Sequence, residues 1–126
     1  MTLHCENIPL TDLAGQFGTP LYVYSQSALT EAFCAYTSAF SARSPLVCYA
    51  VKANGNLSLL KHFAALGSGF DIVSGGELAR VLAAGGAAGK TIFSGVGKSE
   101  AEIEFALNAG VLCFNVESLP ELDGIN

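Results

Sequence analysis

The sequence predicts an α/β fold in which parallel strands are covered by helices. Four times, a short apolar run is followed by a polar or glycine corner and then by an amphipathic stretch. The runs are nearly continuous in their apolar character, as in strands buried on both faces of a parallel sheet, and no hairpin signal separates them. This pattern is compatible with a closed barrel and with a doubly wound sheet.

The N-terminal segment lies outside this repeat. Residues 17–25 (FGTPLYVYS) predict a short strand after a Gly-Thr-Pro corner, and residues 27–40 predict a helix. The helix is expected to turn four side chains inward: Leu29, Phe33, Tyr36 and Phe40. This leader either caps the sheet or belongs to another domain.

The four βα units then follow in order. Strands are predicted at 46–51, 70–73, 91–96 and 111–116. The helical stripes comprise Leu57, Leu60, Phe63 and Leu66, then Leu78, Val81 and Leu82, and then Ile103, Ala106 and Leu107. Gly67 suits a helix C-cap. Three corners fit the Ser-x-x-Glu capping box, namely Ser74 with Glu77, Ser99 with Glu102, and Ser118 with Glu121.

Composition restricts the possible partners and the compartment. The chain has 126 residues, 51% of them hydrophobic and 13% charged, with a net charge of −5. The negative charge and the lack of a basic stripe argue against nucleic acid and anionic membranes as partners. The four cysteines lack metal-ligand spacing, and the sequence has neither a signal peptide nor an apolar run long enough to span a membrane. These features predict reduced cysteines in a cytoplasmic protein.

The sequence is expected to be a fragment. Four parallel units with nothing after them leave the outer edge of the fourth strand unpaired, and the last predicted helix is barely two turns long.

Candidate functional residues follow the strands, because βα folds place their sites at the carboxyl ends of strands. Strand alternation puts Cys48, Ala50 and Lys52 on one face, with small side chains below the lysine. By the same alternation, Asp71 points to the side opposite Phe70 and Ile72. An inward acid and an inward lysine are therefore expected on neighbouring strands.

Lys52 has three interpretations on spacing alone. Partial burial disfavours the charged form of a lysine and frees its amine to form an imine with a carbonyl. Alternatively, Lys52 extends from a strand end into solvent, or forms a structural ion pair with Asp71.

Four stretches at the strand exits resemble one enzyme family. They are YAVKAN (49–54), GSGFDIVSGGEL (67–78), FSGVGKSEAEI (93–103) and FNVESLPEL (114–122). In this order and spacing they resemble meso-diaminopimelate decarboxylases of the bacterial and plant type, and FGTPLYVYS resembles the opening of that family. YAVKAN alone is shared with other alanine-racemase-like pyridoxal-phosphate enzymes.

The resemblance implies part of a (β/α)8 TIM barrel of the alanine-racemase-like type. Residues 26–126 would form the first half of the barrel, which binds pyridoxal 5'-phosphate, and residues 1–25 would contribute a strand to a separate β domain. Lys52 matches the catalytic lysine that binds the cofactor covalently. Asp71 and Glu77 match acidic positions around the cofactor and its lysine, with Asn54 and Ser74 in supporting roles. No metal is implied.

The implied activity is decarboxylation of meso-2,6-diaminopimelate to L-lysine and carbon dioxide, in a full-length homodimer that acts on a small amino acid. The family's other site residues lie in later sequence, so we expect the isolated chain to be inactive. Ornithine or arginine decarboxylases and racemases of this fold remain alternatives. A non-catalytic relative and a cofactor-free aldolase that uses Lys52 are also open.

Overall fold

The computed structural model describes residues 2–126, and the chain forms two compact units that divide between Ser44 and Pro45. Met1, the first residue of the predicted leader, lies outside the described residues. The predicted domain boundary between residues 25 and 26 differs from this division and stays a prediction.

The first unit consists of a small hairpin and two helices. Its elements are β1 (His4–Cys5), β2 (Ile8–Pro9), α1 (Leu10–Phe17) and α2 (Gln26–Ala39), followed by a 3-10 turn at Ser41–Arg43. The two strands pair antiparallel.

Glu6, in the hairpin turn, caps the start of α2. Its carboxylate Oε1 accepts hydrogen bonds from Ser25 Oγ and from the backbone N–H of Ser27, both at 2.9 Å. The first backbone N–H groups of a helix have no partner within the helix, so a carboxylate placed there stabilises it. The Ser27 N–H is the largest cause that holds the pKa of Glu6 below its ordinary value, followed by the Ser25 hydroxyl.

Two predictions for this unit are wrong. Residues 18–25 form no strand, because a strand needs a neighbour to satisfy its backbone groups, and no described segment pairs with this one. Tyr36 and Phe40 are 64% and 55% exposed, while Leu29 and Phe33 are only half-buried. No described residue up to Ser44 is fully buried, so the unit has no closed core to receive a helical stripe.

The second unit is a four-stranded parallel sheet with helices between its strands, which confirms the predicted βα units. The strands are β3 (Cys48–Ala50), β4 (Gly69–Ile72), β5 (Thr91–Phe93) and β6 (Cys113–Phe114), and they lie in chain order. The helices are α3 (Leu57–Ala65), α4 (Gly75–Ala83), α5 (Glu100–Ala109) and α6 (Leu119–Ile125).

The sheet has two unlike faces. We call the helix-packed side the covered face, where Phe70, Ile72, Thr91 and Phe93 are each 0% exposed. Against these strands lie the buried helical residues, which are Leu59, Leu60, Phe63, Leu78, Val81, Ile103 and Ala106. We call the other side the open face. Its register is Ala50 beside Asp71, Asp71 beside Ile92, and Ile92 beside Cys113, all half-buried or exposed.

The helical stripes are narrower than predicted. Leu57, Leu82 and Leu107 are 46%, 36% and 50% exposed. Each helix rests on the sheet along a single line of contact, so residues at the margin of a predicted stripe face solvent.

The predicted C-cap at Gly67 is confirmed. Gly67 has a φ of +84°, a conformation that glycine adopts without steric cost. Its N–H donates to Ala64 O at 3.0 Å, and the N–H of Ser68 donates to Phe63 O at 3.1 Å. These two bonds form a Schellman motif that ends α3 and leads into β4.

Candidate active site at the carboxyl ends of the strands

Lys52 lies just after the first strand of the sheet, in a turn and not in the strand itself. β3 ends at Ala50, and Val51–Ala53 form a 3-10 turn in which Val51 is buried and Lys52 is exposed. Strand alternation therefore does not extend to Lys52, and its predicted partial burial is wrong. Within residues 2–126, the Lys52 amine forms no hydrogen bond and no ion pair, so the alternative of a Lys52–Asp71 ion pair is also wrong.

The residues after Lys52 shape the turn into α3. Asn54 Oδ1 accepts from the N–H of Asn56 at 2.9 Å, and Asn56 Oδ1 accepts from the N–H of Ser58 at 2.9 Å. The second of these bonds caps α3. Tyr49 OH donates to Asn54 O at 3.2 Å, while the Tyr49 ring stacks on Phe63 with centroids 4.4 Å apart. The turn that carries Lys52 is thus held at both ends.

Asp71 lies on the open face, as predicted, and is held from the next strand. Its Oδ1 accepts a short hydrogen bond from Ser94 Oγ. Ser94 Oγ in turn accepts from Asn115 Nδ2 at 2.9 Å. Asp71, Ser94 and Asn115 therefore form one chain of hydrogen bonds across β4 and the exits of β5 and β6.

Glu77 serves the start of α4. Ser74 Oγ accepts from the N–H of Glu77 at 3.2 Å, which is half of the predicted capping box. The Glu77 carboxylate, however, accepts from the N–H of Val73 at 2.7 Å and not from Ser74. In this chain the Glu77 carboxylate therefore binds the backbone just before α4. Its role towards a cofactor stays a prediction.

The second predicted capping box is complete and extends further than predicted. Ser99 Oγ accepts from the N–H of Glu102, and Glu102 Oε2 accepts from the N–H of Ser99 at 3.1 Å. Glu102 Oε1 also accepts from the N–H of Gly75 at 2.8 Å. The Gly75 N–H, followed by Ser99, holds the pKa of Glu102 below its ordinary value. Glu102 thus ties the first turn of α5 to that of α4.

The third corner contains a buried ion pair. Ser118 Oγ accepts from the N–H of Glu121, while Glu121 Oε1 pairs with Lys98 Nζ at 2.5 Å. The Lys98 side chain is 0% exposed and also donates to Gly95 O at 2.8 Å and to Asn115 O at 2.9 Å. All three of its N–H donors are satisfied, and the Lys98 bond is the largest cause that lowers the pKa of Glu121.

Cys48 lies on the same face as Asp71. Burial is the largest cause that raises the pKa of its thiol, followed by the charges of Asp71 and of Cys113. A raised pKa favours the neutral thiol, so Cys48 acts here as a small apolar side chain. All four cysteines are free.

Sequence reasoning missed Ser94 and the roles of Lys98 and Asn115. Ser94 immediately follows β5 and was available as a strand-exit residue. Lys98 and Asn115 lie within the stretches 93–103 and 114–122, but no local pattern indicated that they meet, since they are 17 positions apart in the chain.

The family model described as "Pyridoxal-dependent decarboxylase, pyridoxal binding domain" matches residues 26–126. The chain belongs to this family. Among pyridoxal-dependent decarboxylases, the diaminopimelate decarboxylase of Neisseria meningitidis serogroup B (strain ATCC BAA-335 / MC58) is 80% identical over 125 residues, covering 99% of this chain and 30% of the relative. The diaminopimelate decarboxylase of Vibrio cholerae serotype O1 is 57% identical, covering 98% of this chain and 30% of the relative. The resemblance predicted from the sequence is therefore confirmed.

A solved structure supports the same assignment. Diaminopimelate decarboxylase from M. jannaschii, in co-complex with L-lysine, superposes with a TM-score of 0.94 at 35% identity, covering 98% of this chain and 30% of that chain. The four βα units thus belong to the alanine-racemase-like barrel of these decarboxylases, which confirms the predicted fold class. The chain spans about 30% of the length of the curated relatives. Across residues 2–126, no helix has both the length and the apolar character needed to cross a membrane.

Proposed function

We propose that the protein is a pyridoxal 5'-phosphate-dependent decarboxylase that converts meso-2,6-diaminopimelate to L-lysine and carbon dioxide in the cytoplasm. The observation that carries the proposal is Lys52, an exposed amine without a protein partner in residues 2–126, held in an ordered turn at a strand exit. The 80% identity to a relative named diaminopimelate decarboxylase supports the substrate.

The donor set fits the cofactor. An aldehyde requires an accessible primary amine, and the Lys52 amine meets this need because it is exposed and engaged in no ion pair. A cationic pyridinium ring requires nearby negative charge, and Asp71 lies in register with Ala50, two residues before Lys52. The small side chains of Cys48 and Ala50 leave space on the same face.

The residues would divide the work as follows. When bound, pyridoxal 5'-phosphate supplies an aldehyde for imine formation and a ring that accepts the electrons released as carbon dioxide departs. Lys52 would hold the cofactor through its exposed amine. Asp71 supplies a fixed negative charge on the open face, and Glu77 holds the first turn of α4 against the end of β4.

The remainder of the site would come from outside these residues. The match covers about 30% of the relatives' length, so we expect the isolated chain to release no carbon dioxide from diaminopimelate. We further propose that the full-length protein is a homodimer that takes a small amino acid and no nucleic acid. The net charge of −5 agrees with the expectation that the protein binds no nucleic acid.

The decisive experiment is reductive labelling of the full-length protein. Borohydride treatment with pyridoxal 5'-phosphate, followed by peptide mass spectrometry, should place the label on Lys52. Lys61, which is exposed on α3 of the same unit, is the matched control and should stay unlabelled. Lys52→Ala should lower carbon dioxide release at least a thousandfold, since the covalent bond to the cofactor is lost, whereas Lys61→Ala should leave it unchanged.

The same protein discriminates the alternatives. Diaminopimelate, ornithine and arginine are supplied as substrates in separate reactions. The proposal is supported if diaminopimelate gives L-lysine and the other two give no product. Product from ornithine or arginine, or inversion without loss of carbon dioxide, assigns another member of the fold. Labelling at Lys61 but not at Lys52, or activity that persists without the cofactor, overturns the proposal.

A further inference from the structure

We propose that Ser94 and Asn115 are positioning residues that hold the Asp71 carboxylate by one oxygen and leave the other for the ligand. This inference deepens the proposed function and rests on it for the identity of that ligand, which is the cofactor. It starts from the chain of hydrogen bonds that runs from Asn115 through Ser94 to Asp71.

The direction of the chain follows from the number of protons. A serine hydroxyl has one proton, and Ser94 donates it to Asp71 Oδ1. The amide Nδ2 of Asn115 can only donate, and it donates to Ser94 Oγ at 2.9 Å. The hydrogen bonds therefore run in one direction, from Asn115 through Ser94 to Asp71. Asp71 Oδ2 accepts no hydrogen bond from any residue between 2 and 126.

The backbone keeps both positioning residues in place. The N–H of Ser94 donates to Ile72 O at 2.7 Å, and the N–H of Asn115 donates to Phe93 O at 2.9 Å. Each residue thus continues the ladder of the parallel sheet beyond the end of its strand. The buried ammonium of Lys98 then holds Asn115 O at 2.9 Å.

This support gives the buried Lys98 side chain a structural role at the strand exits. Lys98 uses its three donors on Gly95, Asn115 and Glu121. It joins the loop after β5 to the loop after β6, and so fixes the distance between Ser94 and Asn115. A carboxylate held in one orientation binds a cation more tightly than one that rotates freely, because less conformational entropy is lost.

Two substitutions at Ser94 test the hydroxyl. Threonine and valine have nearly the same shape, but only threonine retains a donor. In the full-length protein without cofactor, we expect Ser94→Val to raise the dissociation constant for pyridoxal 5'-phosphate about tenfold or more, because a hydrogen bond to a charged group is lost. Ser94→Thr should stay within about threefold of the parent. Ser94→Ala, which adds no atoms, should match Ser94→Val.

Asn115 is tested with a control on the same unit. Asn115→Leu removes the donor without adding charge and should raise the dissociation constant for pyridoxal 5'-phosphate several-fold, whereas Asn108→Leu, at an exposed position of α5, should not. Apo-protein melting temperatures are measured for every variant, and those of Ser94→Val and Ser94→Thr should agree.

A readout without cofactor separates this inference from the proposed function. The two Nδ2 protons of Asn115 are observed by nitrogen-15 NMR, and Ser94→Val should shift the bonded one to the position of an exposed amide such as that of Asn108. Ser94→Thr should leave it in place. Equal dissociation constants for Ser94→Val and Ser94→Thr, or an unmoved Asn115 signal, overturn the inference. Failure of the parent protein to bind pyridoxal 5'-phosphate, with the NMR result as expected, overturns the proposed function alone.

Discussion

The two faces of the parallel sheet are made from the same strands but carry opposite kinds of side chain. On the covered face, Phe70 and Ile72 are fully buried beneath helices. On the open face, Asp71 lies between them in sequence, is half-buried, and is hydrogen-bonded to Ser94. A single strand of four residues, Gly69–Ile72, therefore supplies both core packing and a candidate site residue.

This difference separates stability from chemistry. Burial of apolar area accounts for most of the stability of a fold, so the covered face should dominate unfolding energetics. The open face contributes fewer buried atoms and should dominate ligand binding. Substitutions on the two faces of one strand should then affect different measurements.

The largest expected effect is on the covered face. Phe70→Ala should lower the free energy of unfolding by about 3–5 kcal/mol, through lost burial and the cavity left behind. Phe105→Ala, at a 39% exposed position on α5, should cost about 1 kcal/mol or less. Urea denaturation of both variants measures the contrast, and equal losses would contradict the assignment of the core.

The close packing around Gly69, at the start of β4, comes next. A Cβ added at Gly69 would lie 2.5 Å from Lys90 O and 2.6 Å from Cys48 Sγ. Because a backbone oxygen cannot easily move, Gly69→Ala should cost about 1–3 kcal/mol of stability. Gly89→Ala, where a Cβ would meet nothing within 4 Å, is the control and should be near neutral. A neutral Gly69→Ala would show that the backbone around Lys90 and the Cys48 side chain move aside without cost.

A matched pair compares the faces directly. Ile72→Val on the covered face should cost about 0.5–1.5 kcal/mol, since a buried methylene is removed. Ile92→Val, on the open face beside Asp71, should cost about 0.5 kcal/mol or less. Thermal unfolding monitored by circular dichroism is sufficient, and a larger cost for Ile92→Val would reverse the interpretation of the faces.

The smallest expected effect concerns pH at the corner between α4 and α5. The pKa of Glu102 is held below its ordinary value of 4.5, so its contribution to stability is fully present above that pH and is lost as the pH falls through the lower, folded-state pKa. The melting temperature of Glu102→Gln should lie below that of the parent at pH 7, with the gap closing below about pH 4. Glu104→Gln, an exposed position of α5, should show no gap at either pH. A gap that persists in acid would assign the effect to packing instead of charge.

The sequence predicted the βα units well because their signals are local. Near-continuous apolar runs located all four strands to within a few residues, and the serine at each corner caps the following helix. Gly67 ends α3 as expected, because its backbone conformation depends on the chain within one turn. The resemblance at the strand exits identified the family that the chain belongs to.

The predictions that failed depend on the geometry at strand ends and on pairing partners, which apolar patterns do not specify. Lys52 is exposed because β3 ends at Ala50, one residue before the predicted end, and the chain then enters a 3-10 turn that the strand pattern did not indicate. Residues 18–25 lack a pairing strand among the described residues, although their composition is typical of one. Glu77 accepts from Val73 instead of completing its box, since the geometry at the end of β4 determines which N–H lies within reach.

By itself, the sequence determined the order and approximate position of the four βα units, which serines cap three of their helices, which family the chain belongs to, and that Lys52 and Asp71 follow or lie within neighbouring strands. Only the tertiary structure decided that Asp71 is held by Ser94 and Asn115, that Lys98 is buried against Glu121, and that Glu102 reaches Gly75. The physical reason is the sequence separation over which each interaction acts. Caps and apolar periodicity act within a turn or two of the chain, whereas each of these contacts joins residues more than twenty positions apart and depends on the register of the sheet.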